Sequence, residues 1–269
     1  MELNQLFDVK DKVVLVTGGA KGIGLMISQG FVANGAKVYI SSRDAKACEA
    51  AAEELNSAGP GKAVALPADL LQLSECERLV SELSKRESKL HVLVNNSGIA
   101  WGAPLDSFPD EQWSRVLNLN LQRVFTLTQL LLPLLDAAGS PSVESAAKDM
   151  PAAVINIGSI DALRVPIMEN YSYSAAKAGL HHLSRVLSAK LGPRGITVNT
   201  LACGPFETKM TRFAMKTAKA EIEEGNPMGR IGRPGDVAGA CIFLASRAGS
   251  YVNGATINVD GGVSNLSKM

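Results

Sequence analysis

Cysteine is sparse in this chain and spread thinly. The four thiols, Cys48, Cys76, Cys203 and Cys241, form no CxxC pair and have no histidine cluster beside them. That pattern excludes a disulfide framework and a zinc site, so no metal is expected, and it fits a reduced, cytoplasmic compartment. A dominant charge is also missing, with 27 Lys+Arg against 26 Asp+Glu. No segment is basic enough for nucleic acid or an anionic membrane, which leaves a small or weakly charged substrate as the expected partner. Long hydrophobic runs are absent too. The most apolar stretch, Val124 to Leu135, is too short to span a bilayer and contains Gln129 and Pro133. The opening MELNQLFDVKDK lacks the apolar core of a secretion signal, so the Asn-x-Ser triplets at Asn95, Asn170 and Asn265 are read as chance.

What is present is alternation. KVVLV (12–16), KVYI (37–40), AVALP (63–67), HVLVN (91–95), AVINI (153–157), ITVNTL (196–201) and ATINV (255–259) read as strands, most of them apolar throughout, as a sheet covered on both faces requires. Helical patterns lie between them near 22–34, 44–57, 72–87, 111–136, 173–191 and 234–245. Strand–helix alternation of this kind predicts an α/β fold: one doubly wound parallel sheet of Rossmann type, about seven strands, with helices on both faces. No linker or repeat divides residues 1–269, so a single domain is expected. The polar stretch 137–151 reads as a surface excursion. Residues 203–228, after the sixth strand, lack a clear apolar period and read either as a substrate lid or as a helical insertion.

The first strand runs into LVTGGAKGIG (15–24) and then into a helix. Gly18, Gly22 and Gly24 let the backbone turn tightly and approach a pyrophosphate, at which the helix N-terminus points its free N–H groups. The second strand ends in Ser41, Ser42 and Arg43 rather than in an acid. An arginine fork beside hydroxyls, with Lys21 as a second cation, suits the 2′-phosphate of NADPH better than the free ribose of NADH. Asp44 comes too late to hold a ribose and reads as a helix N-cap.

In YSYSAAK (171–177) only the second tyrosine has a lysine four residues on. Tyr173 and Lys177 therefore share one helix face, above a core stripe of Ala176, Leu180, Leu183 and Leu187. An ammonium there is expected to draw a phenol that ordinarily titrates near ~10 toward neutral pH and make it a proton donor. Ser159 leaves the fifth strand where a hydroxyl can reach a carbonyl. Asn120, within LNLNLQ (117–122), is placed to hold a water that relays protons from the lysine. His181 and His182, at least two turns from Tyr173 and without a carboxylate spaced for a triad, read as surface or subunit-interface residues.

Taken together, TGGAKGIG (17–24), Asp69 in ADL, NNSG (95–98), Asn120, Ser159, YSAAK (173–177) and VNGATINVDGG (252–262) resemble the short-chain dehydrogenase/reductase family over nearly the whole chain. The resemblance implies that Tyr173 is the acid, that Ser159 orients the carbonyl, that Lys177 lowers the tyrosine pKa and binds the nicotinamide ribose, and that Asn120 supports the relay. It also implies cofactor contacts from Gly18, Lys21, Gly22, Ile23 and Gly24, from Ser42 and Arg43, and from Asp69 and Leu70 at the adenine. Asn96 and Gly98, and the 196–208 segment with Gly204, Phe206 and Thr208, would complete that set. Within the family, AWGAPL (100–105), GPFETKMTR (204–212) and PMGRIGRP (227–234) are similar to NADPH-linked 3-oxoacyl-ACP reductases of the rhamnolipid-pathway type.

Three departures stand out. Cys203 replaces the proline usual before Gly204, and it reads as a packing thiol. Ser97 replaces alanine. Thr126 stands where carrier-docking reductases often carry an arginine, leaving Arg194 as the other basic position, so acyl-carrier docking is not expected. The reading is an NADPH-dependent carbonyl reductase acting on a 3-oxoacyl thioester, β-keto ester or similar ketone. Its rivals are an NAD(P)-dependent secondary-alcohol or polyol dehydrogenase, and an NADP-binding biosynthetic or regulatory protein without a redox role. In the family the helices at 111–136 and 173–191 pair between subunits, which implies a homotetramer or homodimer.

Overall fold

A computed structural model describes residues 2–139, 150–208 and 211–266. Among them, seven strands form one sheet: β1 (Val13–Thr17), β2 (Lys37–Ser41), β3 (Lys62–Ala65), β4 (Val92–Asn95), β5 (Ala152–Ile157), β6 (Ile196–Cys203) and β7 (Thr256–Val259). All pairs are parallel, in the order β3-β2-β1-β4-β5-β6-β7. The expected sheet is therefore present, each strand within two residues of its sequence reading at either end.

The helices are α1 (Leu3–Leu6), α2 (Gly22–Ala33), α3 (Ala45–Ala58), α4 (Leu73–Ser84), α5 (Asp110–Leu117), α6 (Arg123–Leu130), α7 (Leu132–Gly139), α8 (Tyr171–Leu191), α9 (Arg212–Glu224) and α10 (Pro234–Ala245). Alternate strand residues serve opposite layers. Val14, Val16, Val38 and Ile40 pack under α2, α3 and α10, while Val13, Leu15 and Tyr39 face α4, α6, α7 and α8. Central strands buried on both faces are mostly apolar, and where β6 carries Thr197 and Asn199 their side chains are hydrogen-bonded to backbone.

The chain departs from the sequence reading in two places. The helix expected over 111–136 is broken. A π-helical turn, Asn118–Gln122, interrupts it, and Pro133, which has no N–H to donate, separates α6 from α7. Helix α8 starts at Tyr171 rather than at 173, so both tyrosines lie in its first turn. Within 203–228 the chain forms α9, which agrees with the reading of a helical insertion although no apolar period signalled it. The excursion expected at 137–151 falls mostly on 140–149, outside the described residues.

The order reverses direction between β1 and β4, and at that switch point the loops beyond the carboxyl ends of both strands border one crevice. Among the described residues no helix is long and apolar enough to cross a membrane.

Candidate active site

The glycine loop is shaped by contacts that exclude a side chain. Gly18 and Gly22 adopt left-handed backbone, φ +64° and +56°. At Gly24 an added Cβ would lie 2.2 Å from the Gly18 carbonyl oxygen and 2.5 Å from Asn96 Nδ2, so the first turn of α2 can approach the loop only because nothing is there. Asn96 explains the second contact. Its Nδ2 donates to the carbonyls of Thr17 at 2.9 Å and Gly18 at 3.3 Å, bracing the loop from β4. The backbone N–H of Asn96 and of Ser97 both reach Thr17 Oγ1. A backbone cradle that opens a helix is the donor set a dinucleotide pyrophosphate requires. Ile23 packs against the core beneath it, and Thr208, from the loop beyond β6, lies over Gly22.

At the end of β2, Ser42 Oγ is 3.1 Å from Cys48 Sγ and Arg43 is exposed. Asp44 caps α3 by accepting from Ala47 N at 3.1 Å, as its position suggested. It also holds Lys21 Nζ at 2.9 Å, so the second cation is present beside Arg43 but paired. Asp69 accepts from Leu71 N at 3.2 Å, which turns the chain after β3 with Leu70 buried.

The reactive side chains converge on the carboxyl end of β5. Lys177, buried, donates to the Ile157 carbonyl at 2.7 Å and lies 5.6 Å from the centroid of the Tyr173 ring. The Ser159 hydroxyl meets the Tyr173 phenol and accepts from Asp161 N at 3.1 Å. Behind them runs a buried polar ladder. Asn95, Asn156 and Thr200 sit side by side across β4, β5 and β6. Asn95 Nδ2 donates to Asn156 Oδ1 at 2.9 Å. Asn156 Nδ2 and Thr200 Oγ1 both donate to Ser184 Oγ at 2.8 Å, and Ser184 passes its own proton to the Leu180 carbonyl. Helix α8 therefore grips the strand end through Lys177 and Ser184, two turns apart.

The electrostatics differ from the sequence expectation. Burial pushes the Tyr173 phenol upward and the Ser159 hydroxyl opposes this. Lys177 is itself desolvated: burial brings it down to about 8, with one N–H donated to the Ile157 carbonyl. Cys203 is buried among Ile157, Leu201 and Cys241, with its thiol pushed up to about 12 by that burial, which is a packing residue's environment.

Of three further predicted positions, that of His181 needs correction. The Asn120 amide is engaged by backbone. The π-turn directs it at the backbone of Ile99, which it meets on both sides, accepting at 3.1 Å and donating at 2.7 Å, with Gly98 packed against its oxygen. Phe206 is a core ring seated on Gly232, so its backbone is what it offers a ligand, and Gly204 donates its N–H to Val259 O at 3.0 Å with its carbonyl left for the same use. His181 is not a surface residue. It is buried one turn below Lys177, while His182 is exposed. Sequence reading also passed over Asn95, Asn156, Ser184 and Thr200, although a serine and a histidine on the core face of an amphipathic helix are the available signal. Arg194 pairs with Asp136, so it is not a free cation. Among the described residues no cluster of three metal-ligating side chains occurs.

This geometry has known counterparts. A family model described as enoyl-(acyl carrier protein) reductase matches residues 18–264. The chain is 41% identical over 262 residues to a rhamnolipids biosynthesis 3-oxoacyl-[acyl-carrier-protein] reductase of Pseudomonas aeruginosa, covering 97% of this chain and 99% of that one. The chain belongs to the short-chain dehydrogenase/reductase family. As a short-chain dehydrogenase/reductase it is an oxidoreductase, and its relatives include a 5-keto-D-gluconate 5-reductase of Escherichia coli, 33% identical over 97% of this chain and 98% of the relative. Among solved short-chain dehydrogenase/reductases, the Pseudomonas aeruginosa RhlG/NADP active-site complex superposes with a TM-score of 0.90 at 41% identity, covering 98% of this chain and all of that one.

Proposed function

We propose that this protein is an NADPH-dependent carbonyl reductase in which Tyr173 protonates the oxygen of the ketone being reduced. The observation that carries the reading is the meeting of Ser159, Tyr173 and Lys177 at one strand end, beside a glycine loop that a Cβ would block. NADP in the complex of the similar Pseudomonas structure supports the choice of cofactor. So do Arg43 and Lys21 at the end of β2, which would hold a 2′-phosphate, with Asp69 and Leu70 at the adenine side. The bound dinucleotide supplies the hydride.

The chain's own residues do the rest. Ser159 donates to the carbonyl oxygen and fixes its orientation. Tyr173, kept protonated by burial, delivers its proton as negative charge develops on that oxygen. Lys177 faces the resulting phenolate and restores it. A lysine brought down to about 8 exchanges protons near neutral pH.

The substrate class follows from the mouth. The loop 160–170 between β5 and α8 exposes Leu163, Val165, Ile167 and Met168, the middle two at 84% and 88% of their surface. It packs against the loop after β4, with Ala103 N bonded to Glu169 O at 3.2 Å, and that second loop exposes Trp101 and Leu105. An apolar rim favours a 3-oxoacyl thioester or β-keto ester over a polyol. The activity named for the Pseudomonas relative agrees. Thr126, and Arg194 with Asp136 on it, present no free cation to an acidic carrier, which favours a freely diffusing thioester.

We also read 203–228 as a lid over the site, supported by Thr208 resting on Gly22, and a cytoplasmic homotetramer or homodimer, supported by Trp113, Phe125 and Val186 standing exposed on α5, α6 and α8. The test is NADPH consumption with 3-oxoacyl thioesters and β-keto esters. Wild type is expected to turn over at least one of them, and Tyr173→Phe to bind NADPH unchanged with kcat reduced at least a hundredfold. Full turnover by that variant would refute the reading.

A further inference from the structure

Ser159 has to present its hydroxyl to a substrate and to Tyr173 from the last residues of a strand end, where no regular ladder fixes it. The contacts at this corner come from successive turns of α8. Lys177 takes the Ile157 carbonyl at 2.7 Å. Gly158 N donates across the sheet to Leu201 O at 2.8 Å. Ser159 N–H points back at α8 and donates to His181 Nε2 at 3.4 Å. His181 is four residues beyond Lys177, as Lys177 is beyond Tyr173, so the three side chains stack on one face.

The fit between ring and strand is close. A Cβ at residue 158 would lie 2.2 Å from His181 Nε2, 2.9 Å from its Cδ2 and 2.7 Å from Thr200 Cγ2. The imidazole therefore occupies the space that a side chain at 158 would need. Because Ser159 N–H is the donor, Nε2 carries the lone pair and the ring proton sits on Nδ1. Burial, with Lys177 and Arg185 as neighbouring cations, brings His181 down to about 4, so the acceptor form persists at neutral pH.

We propose that His181 is a positioning residue for Ser159: the lone pair of its Nε2 holds the Ser159 backbone N–H, and its ring, seated in the gap left by Gly158, fixes the turn from which the Ser159 hydroxyl meets the substrate carbonyl. This rests on the carbonyl-orienting role given to Ser159 above. Among the described residues the Ser159 N–H is given His181 Nε2 as its acceptor, while the Ser159 hydroxyl accepts from Asp161 N.

The experiment has two arms. The first is NMR on the ¹⁵N-labelled full chain between pH 6 and 8. His181 is expected as the Nδ1–H tautomer throughout, with the Ser159 amide protected from hydrogen exchange. Protection should fall at least tenfold in His181→Leu and be retained in His181→Gln, whose Oε1 stands where Nε2 stood. The second arm is kinetics with NADPH and acetoacetyl-CoA. His181→Leu should lose at least tenfold in kcat with NADPH affinity within twofold of wild type, and His181→Gln should recover to within threefold. An Nε2–H tautomer, an unprotected Ser159 amide in wild type, equal losses in both variants, or an unchanged kcat in His181→Leu would each overturn the proposal. A Ser159→Ala control separates the two readings. If it keeps full turnover, the role of Ser159 fails, and the amide and tautomer still decide whether His181 holds that backbone.

Discussion

Replacing Lys177 by methionine tests the electrostatic account of the site directly, because the same burial that readies this lysine for proton exchange also costs the folded state. Its pKa falls from 10.5 to about 8 on folding, through desolvation. The unfolded chain therefore binds the proton more tightly than the folded one, and the charged lysine destabilises the fold at neutral pH by about 3 kcal/mol. That cost fades as pH rises from 8 toward 10.5, where both states become neutral. At any single pH the variant mixes two effects, relief of the buried charge and loss of the 2.7 Å bond to the Ile157 carbonyl, so its net stability is uninformative.

The pH dependence of the difference isolates the first effect. Lys12, also brought to about 8 by burial, is present in both proteins and cancels. Urea unfolding of cofactor-free wild type and Lys177→Met at pH 7, 8, 9 and 10 should show wild type gaining about 2–3 kcal/mol on the variant across that range, equivalent to a shift in Tm of roughly 5 °C. A difference that stays flat with pH would mean that Lys177 is solvated in the folded state, and the proposed proton exchange near neutrality would go with it.

Arg43→Ala should weaken NADPH at least tenfold and leave NADH nearly unchanged. Asp44→Asn keeps the cap of α3 but releases Lys21, and should tighten NADPH up to about fivefold, the worth of an exposed ion pair; fluorescence titration with both nucleotides reads each. Gly24→Ala should raise the NADPH dissociation constant more than tenfold with an unaltered circular dichroism spectrum, because the new methyl group meets Gly18 O and Asn96 in the cradle itself. Ser184→Ala strands the Asn156 amide and the Thr200 hydroxyl, both buried, and should lower stability by about 2–4 kcal/mol, or roughly 4–8 °C in thermal unfolding. Unchanged melting would show that the ladder behind β5 finds other partners.

The two halves of the site differ in how they could be read. Tyr173, Lys177, Ser159 and the glycine loop are legible because each is a short local pattern: a helix-face spacing, a strand end, a turn that only glycine permits. Asn120 was legible as a position but not in its orientation, since a π-turn decides where its amide points and no residue type announces one. His181 was misplaced altogether, because a histidine two turns from Tyr173 looks peripheral until the end of β5 is seen to meet α8 as that helix lies along β6.

The sequence by itself determined the parallel sheet and, to within two residues, its strand boundaries, and it singled out Arg43 and Tyr173 as candidates, because these depend on periodicity and on local backbone chemistry. Only the tertiary structure decided what the polar groups touch. Lys21 is held by Asp44, Arg194 by Asp136, Lys177 by a strand carbonyl, and burial raises the Tyr173 phenol. Hydrogen bonds and desolvation act over a few ångströms between residues tens of positions apart, and that proximity exists only once the layers have packed.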